Sequence, residues 1–237
     1  MTSMRPFLVA MLLLLGAAGA RASDEVALQD GEWMSYRDAY KQMIRFEKYG
    51  KPKQLIQSHF QVVPKDRNSS LDGVRLTLAG PSAQLNLPLD PAGRAIFPFL
   101  KSAYDDNARL VLNRKANLFE MQQRVSIAPR ADGTYEVADL RAACEQVLDY
   151  LRHVGKPAMQ EKKCAGVRFS FARQGVDPAI RLRGAEHAPQ LAVEEGSAFP
   201  GDAGPLFQTV SYRFADAAAK GQLVTQGTPV AIAAEFR

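Results

Sequence analysis

Three observations in the amino-acid sequence predict an α+β protein that is predominantly antiparallel β. Short runs of alternating apolar and polar residues recur between Gly- and Pro-rich turns, a pattern that favours a sandwich over a parallel sheet. Two longer stretches carry apolar residues at helical spacing. Two cysteines, one on a helical stripe and one opening a strand, allow a single bridge between these element types. The expected architecture is therefore sandwich-like, with room for two lobes, and has two amphipathic helices, one stapled to a strand.

The first feature along the chain is a leader. Arg5 gives it positive charge, residues 7–15 are apolar throughout, and Ala20-Arg21-Ala22 has the small-x-small pattern cut by signal peptidase. That run is too short to cross a bilayer, which takes roughly 20 residues. No cysteine stands near the cleavage point to take a lipid. Residues 1–22 read as a signal peptide, followed by a polar lead-in over 23–34.

A helix follows. Ser35 is placed to cap it, with Asp38 three residues on in the manner of a capping box. Tyr36, Ala39, Tyr40, Met43 and Ile44 form one apolar stripe, and Gly50 and Pro52 end it. Strand candidates come next at 55–63, 73–79 and 83–90, the last with Leu85, Leu87 and Leu89 on one face. Asp90-Pro-Ala-Gly93 is a strong turn, so 94–99 reads as the returning arm of a hairpin. Further strands at 110–112 and 124–128 complete an N-terminal lobe over 35–135.

The clearest helix spans about 139–154 within a connecting unit over 136–160. Leu140, Cys144, Val147, Leu148, Leu151 and Val154 share one face, while Arg141 and Arg152 face away. Gly155 and Pro157 stop it. The C-terminal lobe, 161–237, holds strand candidates at 164–173, 179–183, 206–214 and 230–236, with a long exposed loop at 184–204. The heptapeptide at 73–79, Gly-Val-Arg-Leu-Thr-Leu-Ala, echoes Gly-Val-Arg-Phe-Ser-Phe-Ala at 166–172. Duplicated lobes would explain the echo, and so would two chance instances of a common strand pattern.

Charge and cysteine usage bound the function. The 30 Lys and Arg exceed the 25 Asp and Glu by five, and losing Arg5 and Arg21 with the leader leaves +3. This is far from the clustered excess of nucleic-acid binders. Cys144 and Cys164, with 19 residues between them, read as one structural disulfide in an oxidising compartment. Closing such a loop is worth about 3 kcal/mol in the chain-entropy model.

Chemistry is harder to find. His59, His153 and His187 stand in no metal-ligand spacing, and no P-loop, dinucleotide fingerprint or Gly-x-Ser-x-Gly elbow occurs. Neither a cofactor nor a metal is expected. Asn68-Ser69-Ser70 matches a glycosylation sequon, which has no meaning in a bacterial host. The strongest surface signal is a basic ridge on the first helix, where Arg37, Lys41, Arg45 and Lys48 recur at helical spacing. It could face an anionic partner in the envelope (a protein, a polymer or a lipid headgroup) or simply solvent. The expectation is an exported, soluble periplasmic binding or accessory module without a transmembrane span. The alternative is an envelope hydrolase with a dispersed site using His59 or His187.

Overall fold

A computed structural model describes residues 31–67, 69–115, 117–173, 179–183, 191–214 and 221–237. The leader, most of the lead-in, Asn68, His187 and residues 184–190 of the expected loop lie outside them. The first half runs β1 (Gly31–Ser35), α1 (Tyr36–Glu47), β2 (Ile56–Pro64), β3 (Leu76–Ala79), β4 (Gln84–Leu87), β5 (Arg94–Ala95), α2 (Lys101–Asp105), β6 (Arg109–Lys115) and β7 (Phe119–Ile127). The second half runs β8 (Thr134–Glu136), α3 (Val137–His153), β9 (Cys164–Phe171), β10 (Ala179–Arg183), β11 (Val193–Ser197), β12 (Leu206–Arg213), β13 (Gln222–Gln226) and β14 (Ala231–Phe236).

The halves repeat one topology. Every strand pair is antiparallel, and the sheet orders are β1-β6-β3-β4 and β5-β2-β7 in the first half. In the second they are β8-β13-β10 and β11-β12-β9-β14. Matching β1 to β8 and continuing in chain order superposes each pairing on its counterpart. The one departure is β4, which joins β3, whereas β11 joins β12.

The repeat extends to the helix starts. In each half a strand enters the helix without a loop, and the first helical N–H donates to a sheet carbonyl. Tyr36 donates to Ala108 at 2.8 Å and Val137 to Gly221 at 3.0 Å. These acceptors immediately precede β6 and β13. Neither helix has a side-chain cap, because one of the otherwise orphaned N–H groups is met by the sheet. Ser35 therefore does not cap α1 as its position implied; its hydroxyl donates to Asn107 Oδ1 at 2.8 Å.

Two cores follow from the apolar stripes. Tyr36, Ala39 and Met43 of α1 pack with Phe60 and Val62 of β2, Leu76 and Leu78 of β3, and Leu110 and Leu112 of β6. Leu140, Cys144 and Val147 of α3 pack with Val167 and Phe169 of β9 and with Val210 and Ile232. The second core also takes in Phe46, Tyr49, Ile56 and Ile127, so α3 joins both halves. Each such fully buried large side chain contributes about 1.5–3 kcal/mol. Cys144, fully buried, is bonded to Cys164 with a Cα–Cα distance of 6.0 Å, which staples α3 to the start of β9.

Several expectations are corrected. The end of the 23–34 lead-in is strand β1, paired with β6. Residues 94–99 do not return along 83–90: β5 pairs with β2, and β4 pairs with β3. Leu85 is exposed and Leu87 buried, so the face they share on the edge strand β4 is only partly covered. The exposed loop at 184–204 contains β11, a Glu-rich edge strand that its charges disguised. The heptapeptide echo falls on β3 and β9, which are not equivalent in the repeat, so the echo does not mark its register. Arg141 does not face away: it donates to the Phe214 carbonyl and lies 4.6 Å over that ring. Arg152 likewise turns inward, donating to Met159 O and Lys162 O at 3.1 and 2.7 Å.

Candidate functional site

Strand alternation builds the site. The register sets His59 opposite Arg124, and Gln61 opposite both Gln122 and Arg94. Paired residues share a face, so these five side chains line the face of the β5-β2-β7 sheet opposite Phe60 and Val62. In the second half, Arg168, Ser170, Ser211 and Glu235 likewise share a face opposite Val167 and Phe169. Each central sheet thus has one face in a main core; its other face carries these polar groups, and in the second half Phe207, Ala231 and Ala233 share that face and pack with Ala92, Ala198 and Phe199 in a third, smaller apolar cluster.

The equivalent edge strands of the two halves, β7 and β14, lie side by side but belong to separate sheets. Between them is an open groove of about 830 Å³. Residues 122–125 and 233–237 form its strand walls, α3 contributes Val147 and Leu151, and Phe199 and Pro200 also line it. Six cations line it as well: Arg124, Lys156, Lys162, Arg168, Arg213 and Arg237. Among the described residues Glu235 is the single acidic side chain in the lining, and it already accepts from Arg168 and Ser211, both at 2.9 Å. Lys156, Lys162 and Arg213 have no carboxylate partner among the described residues. A surface with these charges attracts anions.

One wall is fixed by a buried polar cluster. Arg124 donates to Asp202 at 2.6 Å and to Gln61 at 2.5 Å, and its guanidinium sits 4.5 Å from the Phe199 ring centre. Arg94 lies 5.7 Å from the same ring, paired with Asp90 and donating to the Val230 carbonyl. Burial pushes the Asp202 pKa up even against Arg124, and pushes that of Arg124 down. His59 titrates below its ordinary value, through burial first and Arg94 second. Its Nδ1 and Arg94 Nη1 are buried without a hydrogen-bond partner among the described residues.

The basic ridge is divided. Arg37 donates to the carbonyls of Tyr104 and Asp105 at the end of α2, and stacks over the Tyr104 ring. Lys41 faces Asp38 at 3.7 Å on an exposed surface. Arg45 lines a second cavity of about 470 Å³, which shares Gln122, Leu151 and Lys156 with the groove. Lys48 is exposed. Of the ridge, only Arg45 approaches the groove.

The two described histidines do not converge. His59 faces the polar cluster, and the His153 ring lies tilted against that of Tyr49 with their centres 5.0 Å apart. Asp90, the carboxylate near His59, is occupied by Arg94 and by the N–H groups of Ala92 and Arg94. Among the described residues no group of three His, Cys, Asp or Glu side chains is arranged to hold a metal. None of their helices is long and apolar enough to cross a membrane.

The groove itself has no local sequence signature. Its cations come from β7, the α3–β9 connection, β9, β12 and the chain end, and only the strand register gathers them. No family model, curated protein or solved structure matches this chain.

Proposed function

We propose that this protein is an exported, periplasmic binding module of the bacterial envelope, and that the groove between β7 and β14 takes an anionic partner. The disulfide supports an oxidising compartment. The observation that carries the binding role is the lining of the groove: among the described residues six cations line it against one carboxylate side chain, and Lys156, Lys162 and Arg213 are not paired with a carboxylate there, beside the apolar surfaces of Val125, Leu151 and Phe236. Its volume lies in the range of ligand pockets. Arg45 lines the adjoining cavity with Lys156 and Glu120, so this one member of the ridge stands beside the same partner.

The test is equilibrium binding of labelled poly-L-glutamate at increasing salt. Binding should weaken as salt rises and fall at least tenfold in a Lys156→Glu, Arg213→Glu variant, while Lys41→Glu binds as wild type. Equal binding by the groove variant, or loss only with Lys41→Glu, would remove the groove from the reading.

A further inference from the structure

The two sides of the groove differ in chemistry. Gln122 and Arg124 of β7 project to the face that carries the buried polar cluster, and Gln123 and Val125 to the opposite face, toward α3. On that second side the lining is the outer layer of the second core. Val125, Leu151, Ala234 and Phe236 pack against this core, yet all four remain half-buried where they line the groove. Val147 of α3, buried in the same core, also reaches the lining. The cations on this side come from the α3–β9 connection. Lys156 is exposed and Lys162 half-buried, and neither is paired with a carboxylate among the described residues.

The apolar surface runs on into the second cavity. That cavity shares Val125, Leu151 and Lys156 with the groove and adds Tyr150 and Val154. Arg45 and Glu120 line it together, so their charges offset one another there. Beside α3 the molecule therefore presents a continuous apolar floor with its uncompensated charge at Lys156 and Lys162. Ligand sites have this composition: mostly apolar walls, with a few polar groups that fix orientation.

Resting on the reading above, we infer that the anionic partner is a single-chain amphiphile with a carboxylate head. Its hydrocarbon chain lies along Leu151, Val125 and Phe236 and on toward Val154, and its carboxylate meets Lys156 and Lys162. A bare polyanion satisfies the two lysines but leaves the floor in water. A neutral amphiphile covers the floor but leaves the lysines without a counter-charge. Only a molecule with both parts removes the apolar surface from water and answers the charge.

The experiment is isothermal titration calorimetry of the full mature chain with decanoate, butanoate and decan-1-ol, each below its solubility or micelle limit. Decanoate should bind at least tenfold more tightly than butanoate, which has the same head on a short chain. It should also bind at least tenfold more tightly than decan-1-ol, which has the chain without the charge. A Lys156→Glu, Lys162→Glu variant should lose the preference over the alcohol, and Leu151→Gln the preference over butanoate. The three ligands on the unaltered chain decide the matter even where Leu151→Gln fails to fold. Equal binding of butanoate would overturn the acyl floor while leaving an anion-binding groove. Equal binding of decan-1-ol, or an unchanged preference in the lysine variant, would overturn the placement of the head. Binding of poly-L-glutamate without binding of decanoate would overturn the amphiphile alone. If neither binds, both this inference and the reading it rests on fall together.

Discussion

Arg124, on an edge strand of the first half, donates to Asp202, in a loop of the second, at 2.6 Å, with only 20% and 13% of the two side chains exposed. Gln61 bonds to both residues, and Phe199 lies under the guanidinium. The pair therefore ties the two repeats together at the wall of the groove. Removing one partner leaves the other charge buried, which typically loses 3–5 kcal/mol, whereas replacing both with apolar side chains can be close to neutral. Arg124→Ala should lower the urea midpoint by an amount equivalent to about 3 kcal/mol. Arg124→Met with Asp202→Leu should recover most of that loss. A single variant as stable as wild type would show that the pair does not join the halves.

His59 sets a pH dependence. Its folded pKa is lowered by burial and by Arg94, so the folded state resists protonation more than the unfolded chain does. The stability this contributes is fully present above about pH 6.5, the ordinary histidine value. It is lost as the pH falls from there through the lower folded-state pKa. His59→Gln should flatten the stability profile in that window, read from unfolding midpoints between pH 5 and 8, about the range over which histidine titrates. Identical slopes for the two proteins would refute this assignment.

The disulfide should stabilise the fold by about 3 kcal/mol, mostly by restricting the unfolded chain. Comparing urea midpoints with and without reductant measures this. Because Cys144 is fully buried on α3, a Cys144→Ala, Cys164→Ala variant should also remain folded and helical. Global unfolding on reduction would mean that the α3 core is weaker than its packing indicates.

Gly93 provides a backbone test. Its φ is +74°, and a Cβ there would come within 2.3 Å of the Val62 carbonyl oxygen, the backbone that β5 must approach to pair with β2. Gly93→Ala should destabilise by about 2–3 kcal/mol. Gly50→Ala, where a Cβ meets nothing within 4 Å, should be near neutral. A neutral Gly93→Ala would contradict the turn geometry.

The parts of this fold written in local pattern could be read from sequence: the two amphipathic helices, strands such as β2, β10 and β14, and the staple from a buried helical face to a strand. Elements without a strong local pattern could not. β8 has three residues, β13 is largely polar, and β11 begins Val-Glu-Glu, so register with a neighbour rather than apolar alternation holds each in place. The topological repeat was obscured because equivalent strands such as β3 and β10 do not resemble each other, while the non-equivalent β3 and β9 do. The site was hidden for a related reason. Arg124, Lys156, Arg213 and Glu235 lie far apart in sequence and meet only once two separate sheets set their edges side by side. The basic ridge was conspicuous because helical spacing is local, but α2 takes up its first member, Arg37.

Chemical-shift mapping with poly-L-glutamate tests the groove most directly. The signals of Lys156, Lys162 and Arg213 should move on addition of the polyanion, with those of Arg37 and Lys41 on α1 unchanged. Shifts confined to α1, or none at the groove while the polyanion is bound, would contradict it.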